Sequence, residues 1–250
     1  MTAALPLPLP AHEAHLWFAS PDALKDPALL AQYRSWLAPE ERERHDRYRF
    51  DKHRHEYLTT RALVRWTLSR YAPVHPAEWK FGKNEHGRPH VEVPAVLPRL
   101  RFNLSNSLSL VTCLVALDLE IGVDVEEADR PGETVAIADR FFSPIEVAEL
   151  RTVPPERQRE RFFDYWTLKE SYIKAKGKGL AIPLEQFSFH LVEGQPIRIS
   201  FHPALKDDPA GWQFQQQRPT PKHKVAVAIN RGAGGKDLDV VTRWVVPGRP

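Results

Sequence analysis

The chain has 250 residues, 42% of them hydrophobic, and 35 basic against 32 acidic side chains for a net charge of +3. That length suits one large domain or two small ones with an ample core, and the interspersed acids permit binding of polyanions without demanding it. A single cysteine, Cys113, excludes an internal disulfide framework and a cysteine-based zinc site and points to a reducing, cytoplasmic setting. No apolar run approaches the roughly 20 residues of a membrane span. The proline-broken start, Met1 to Pro10, has no basic n-region and reads as an extended segment rather than a signal peptide.

In chain order, His15 to Ser20 reads as a short strand and Pro27 to Leu37 as a helix. Pro39-Glu-Glu-Arg-Glu-Arg44 opens another helix, with proline at the first turn and acids at the N-terminus. Tyr48 to Tyr71 follows as a long helix, rich in arginine and histidine on one side; such a charge run is usually a solvated face. Trp79 to Pro89 is a strand entering a turn built on Asn84, His86 and Gly87. Backbone N–H groups there, with Lys83 and Arg88, could seat a phosphate, or the turn is a hairpin carrying ordinary surface bases. Arg101 to Ser107 precedes an apolar strand, Leu108 to Leu117, and Asp118-Leu119 makes a tight return.

Ile121-Gly-Val-Asp-Val-Glu126 then alternates strictly, the mark of a half-buried strand. Asp124 and Glu126 share one face about 7 Å apart. They repel unless a proton or a metal intervenes. Gly122 on the same face leaves room beside them for a ligand. The plainer alternative is a solvated edge with two ordinary acids. Ser143, Pro144 and Glu146 form a helix start with no further role, and Glu156 to Arg161 is a charged helical lead-in. From Arg161 to Leu180 the spacing predicts a helix that turns Phe162, Phe163, Trp166 and Ile173 to one side. Glu170 falls inside that apolar stripe, with Lys174 one turn further along. Taken alone the two make an ordinary helix pair of a few tenths of a kcal/mol. Taken with Asp124 and Glu126, Glu170 completes three oxygen donors of the kind Mg²⁺ accepts. Gly177, Gly179 and Pro183 end the helix. Strands follow at 187–192, 196–202, 211–217 and 224–229, closing a second sheet, and Trp244-Val-Val could add a short one.

I-G-V-D-V-E, R-F-F-S-P-I-E at Arg140 to Glu146 and W-T-L-K-E-S-Y-I-K-A-K-G-K-G-L at Trp166 to Leu180 resemble the ordered signatures of the 4′-phosphopantetheinyl transferases, most closely the larger, Sfp-type branch. P-E-E-R-E-R, G-R-P and F-N-L-S-N-S, ending at Arg44, Pro89 and Ser107, fit the same order, so the resemblance spans roughly residues 36 to 230. It implies an α+β fold of two similar α/β halves related by a pseudo-twofold axis, residues 1–118 and 119–250, with the active site at their interface. A-P-E-E at Ala38 and S-P-I-E at Ser143 echo each other accordingly.

The implied activity is transfer of phosphopantetheine from coenzyme A to a serine of an acidic acyl or peptidyl carrier protein, with Mg²⁺ on Asp124, Glu126 and Glu170. The resemblance implies Glu170 and Lys174 as the catalytic residues, and Arg44, Lys83, Arg88, Asn103, Ser105, Asn106 and Lys174 as the contacts to coenzyme A. Asn106 stands where the family carries a histidine for the 3′-phosphate; it donates a hydrogen bond but cannot be cationic, so a weaker contact is expected. Glu41 stands where some members carry a second base. The Lys176 to Leu184 segment resembles the carrier-contacting region, and two fused halves make a monomer the natural expectation. A Mg²⁺-dependent phosphoester hydrolase is the alternative. A nucleic-acid binder is disfavoured because the aromatics lie on apolar stripes rather than among exposed bases.

Overall fold

The computed structural model describes residues 6–130, 132 and 134–249. The part of the expected extended start before Pro6 therefore lies outside the described residues. By its internal contacts the chain divides between Asp118 and Leu119, and everything from Leu238 onward belongs with the first unit.

The first unit holds β1 (Glu13–Ala19), α1 (Pro27–Trp36), α2 (Pro39–Arg47), α3 (Asp51–Ser69), β2 (Lys80–Lys83), β3 (Pro89–Val93), β4 (Leu100–Ser107) and β5 (Leu110–Leu117). Leu108 and Ser109, expected in a strand, turn the chain between β4 and β5. The long helix α3 lies on β4 and β5. Its Leu63, Val64 and Leu68 meet Trp17, Phe102, Val111 and Cys113 in one core, which buries Cys113 completely. Among the described residues β2 and β3 pair only with each other.

The second unit holds β6 (Glu120–Glu127), α4 (Ala138–Phe141), α5 (Pro144–Thr152), α6 (Pro155–Lys176), β7 (Phe187–His190), β8 (Arg198–Phe201), β9 (Trp212–Gln217) and β10 (His223–Asn230). The strand order is β6-β10-β9, with β7 and β8 a separate pair. α6 packs on β6 and β10. It is buried on more than the one expected stripe: Tyr165, Leu168, Lys169, Ser171, Tyr172 and Ala175 are inside as well. The charged lead-in forms its first two turns, and Gly177 caps it with φ 65°, a left-handed conformation that glycine adopts without penalty. Ser143 caps α5, its hydroxyl accepting from Glu146 N–H.

Three expectations are corrected. The tail does not complete the second half: β11 (Asp239–Trp244) pairs in parallel with β1, at the edge of the sheet β11-β1-β5-β4. Beyond β11, Tyr33 anchors the chain by donating to the Pro247 carbonyl at 2.7 Å. Nor does the tight return at Asp118-Leu119 pair the strands it joins, because β5 pairs with β1 and β4 whereas β6 pairs with β10 along eight residues. The C-terminal strands form two separate groups rather than one closed sheet.

Candidate active site

Gly122, Asp124 and Glu126 point to the α6 side of β6, opposite Ala228, Ala226 and Lys224 of β10. Two alanines and a glycine leave the strand pair shallow, and the helix comes down onto it. A Cβ at Gly122 would stand 2.0 Å from the Ser171 carbonyl oxygen and 2.5 Å from Ala175 N. The space at Gly122 is therefore filled by the backbone of α6, not held open for a ligand. A glycine in a strand marks close approach; here the approaching group is the helix.

This contact sets α6 residues beside the strand acids. Asp124 is 4% exposed, and its Oδ1 accepts from Lys174 Nζ at 2.7 Å. Lys174 thus forms its ion pair across elements, not with Glu170 along the helix. Glu126 accepts from Trp166 Nε1 at 3.0 Å and meets Arg130 at 3.2 Å. Glu170 is half-buried, and its carboxylate makes no hydrogen bond among the described residues. Burial, and then the Asp124 charge, pushes both Glu126 and Glu170 up to about 7. The three acids therefore share one field, in which Lys174 opposes the rise of each raised carboxyl and Arg130 adds its charge at Glu126. That surplus of hard oxygen donors suits a hard divalent cation. As they stand, no three carboxylate, imidazole or thiol side chains among the described residues are grouped to hold one metal ion; Lys174 takes the Asp124 oxygen instead.

Further residues of α6 matter here that the sequence did not single out. Trp166, on the apolar stripe, also gives its indole N–H to Glu126. Lys169 is wholly buried, its ammonium 2.8 Å from Glu146. Asp164 pairs with buried Lys224, directly across the strand pair from Glu126. Nothing in the local spacing marks these partners, because each lies more than 20 residues away. At the helix end, Lys176 is engaged by Asp207 at 3.2 Å, which leaves Lys178 as the exposed base of that segment.

The first-unit candidates are carried by α2, β4 and the β2–β3 hairpin. Arg44 is exposed on α2, over the Tyr57 ring. Glu41 is a buried clamp: it bonds Arg61, Arg65 and the Ala38 N–H. In the turn after β2, Asn84 itself accepts from the N–H groups of His86, Gly87 and Arg88, so those donors are not aimed at a phosphate. Arg88 lines a cleft of about 450 Å³ with Arg99 and Arg101, whereas Lys83 does not. Asn103 and Ser105 are buried on one face of β4 and Asn106 is on the other. Asn106 donates to Glu56 at 2.6 Å. The side chain at the substituted position is thus engaged by an acid.

A sequence profile described as the 4′-phosphopantetheinyl transferase superfamily matches residues 120–229, and one described as the 4′-phosphopantetheinyl transferase N-terminal region matches residues 26–117. The chain is 32% identical to the 4′-phosphopantetheinyl transferase HetI of a Nostoc species, over 89% of this chain and 90% of that one. It is 31% identical to the 4′-phosphopantetheinyl transferase Sfp of Bacillus subtilis, over 84% and 90% respectively. A further 4′-phosphopantetheinyl transferase of Bacillus subtilis is 37% identical over 65% of this chain and 70% of its own. The chain belongs to the 4′-phosphopantetheinyl transferase superfamily. Among the described residues no helix is long and apolar enough to cross a membrane.

Proposed function

We propose that this chain moves the 4′-phosphopantetheine group of coenzyme A onto a serine hydroxyl of an apo carrier protein. The observation that carries the reading is the convergence of Asp124, Glu126, Glu170 and Lys174, from β6 and α6, in a chain of this superfamily. The hydroxyl attacks the β-phosphorus and adenosine 3′,5′-bisphosphate leaves. Such chemistry asks for alignment and charge neutralisation more than for covalent help. Asp124, Glu126 and Glu170 would hold Mg²⁺, which when bound neutralises charge on the diphosphate. Lys174 keeps Asp124 oriented and would bring its positive charge to a phosphoryl oxygen. Trp166 fixes the Glu126 carboxylate. Glu170 has two conceivable duties, ligand and proton acceptor, and Glu170→Gln separates them: lost Mg²⁺ affinity marks the first, a flattened pH–rate profile the second.

The same reading has Arg44, Lys83, Arg88, Asn103 and Ser105 serving coenzyme A, and a monomer working in the cytoplasm. Its carrier would be acidic and either acyl or peptidyl: Arg47, Arg49 and Lys52 are exposed around Phe50, itself 57% exposed. Turnover should then fall with salt. The test is to incubate the protein with coenzyme A, Mg²⁺ and an apo carrier and to weigh the carrier. Gain of one phosphopantetheine mass supports the reading. An unmodified carrier, with phosphoester hydrolysis in its absence, would replace it by a hydrolase.

A further inference from the structure

Each strand acid at the site has a tether of its own: Lys174 holds Asp124, and Trp166 with Arg130 holds Glu126. Glu170 has none among the described residues. Its direction therefore depends on how α6 is rotated and how far it is slid along its axis. The residue before it answers that need. Lys169 and Glu146 are both 0% exposed. Lys169 Nζ donates to the carbonyls of Leu184 and Phe187, each at 2.7 Å, and lies 2.8 Å from Glu146 Oε2. These acceptors use all three of its donors. Glu146 is fixed in turn, accepting from Ser143 N–H at 2.9 Å and Phe189 N–H at 2.8 Å. One buried ammonium thus ties the middle of α6 to the start of α5 and to the chain entering β7.

We propose that Lys169 is a positioning residue, which fixes the rotation and height of α6 so that Glu170 faces Asp124. The inference rests on the reading of Glu170 as a functional carboxylate. Turning the helix far enough to re-aim Glu170 would pull the ammonium from its acceptors, so the buried bonds resist that rotation. A helix held only by apolar packing would lack this restraint, because dispersion contacts are non-directional and reform after small slips.

The test compares the wild type with Lys169→Met/Glu146→Gln, which removes both buried charges together, and with Lys169→Arg, which keeps the charge but changes its reach. Bound Mn²⁺ is counted by loss of the free-ion EPR signal, without substrate; kcat and KM for carrier modification and the melting curve are measured alongside. The expected result is a cooperative melt, Mn²⁺ affinity about tenfold weaker, kcat about tenfold lower and an unchanged KM for coenzyme A. Wild-type Mn²⁺ affinity and kcat in either folded variant would overturn the proposal. So would loss of the cooperative melt in both, since the pair would then hold up the unit rather than aim Glu170. If the wild type itself bound no Mn²⁺, the metal reading would fall while kcat still decided the positioning.

Discussion

Gly122→Ala tests the closeness of α6 to β6 without touching a charged group. The new methyl carbon would meet the Ser171 carbonyl oxygen at 2.0 Å and Ala175 N at 2.5 Å. Ordinary contact begins near 3.5 Å, so the helix must withdraw by more than about 1 Å. Both opposing atoms are backbone, and no rotamer change relieves them. Overpacking of this kind costs about 3 kcal/mol, which in a chain of this size lowers the melting temperature by roughly 6–12 °C. The same withdrawal carries Glu170 and Lys174 away from Asp124, and a misplacement of about 1 Å reduces turnover by something like 10²-fold. Differential scanning calorimetry and timed mass spectrometry of a carrier protein read the two effects. A variant that melts and turns over like the wild type would refute the argument, because α6 could not then be seated on Gly122.

The same contacts set other outcomes. Glu126 and Glu170 are raised from 4.5 to about 7, so the folded state binds the extra protons and the cation-free protein loses stability as pH rises between those values. Its melting temperature should fall over that window more steeply than that of Glu126→Gln/Glu170→Gln, and Mg²⁺ should restore it above pH 7 but not near pH 5; parallel curves would contradict this. Lys174→Met leaves Asp124 buried without its ammonium and should cost about 2–3 kcal/mol, part of it recovered on adding Mg²⁺ in a denaturant titration. Truncation after Asp237 removes β11 and bares the β1 edge, so the protein should melt earlier and self-associate in light scattering; an unchanged melting curve and particle size would show the strand to be dispensable.

Much of this was legible because it is local. Strict alternation announced β6, and the spacing with its trailing glycines announced α6. Ser143-Pro144 with Glu146 announced a capped helix start, yet the Glu146 side chain also reaches Lys169, 23 residues on, which no cap signature encodes. Partnership was less legible than existence. Asp239 pairs with Glu13 across most of the chain, and a short apolar run near Trp244 says nothing of its neighbour. Gly122 shows the same limit: a strand glycine signals that something approaches, and only the tertiary fold shows that it is the α6 backbone. Asn106 and Glu41 read as departures from a basic pattern, but in the fold each has a definite partner, Glu56 and the Arg61–Arg65 pair.

The dependence of carrier modification on Mg²⁺ concentration, compared among the wild type, Asp124→Asn, Glu126→Gln and Glu170→Gln, bears most directly on the shared acidic site. Each substitution should raise the Mg²⁺ needed for half-maximal labelling about tenfold or more. Three variants that follow the wild-type Mg²⁺ curve would contradict the account.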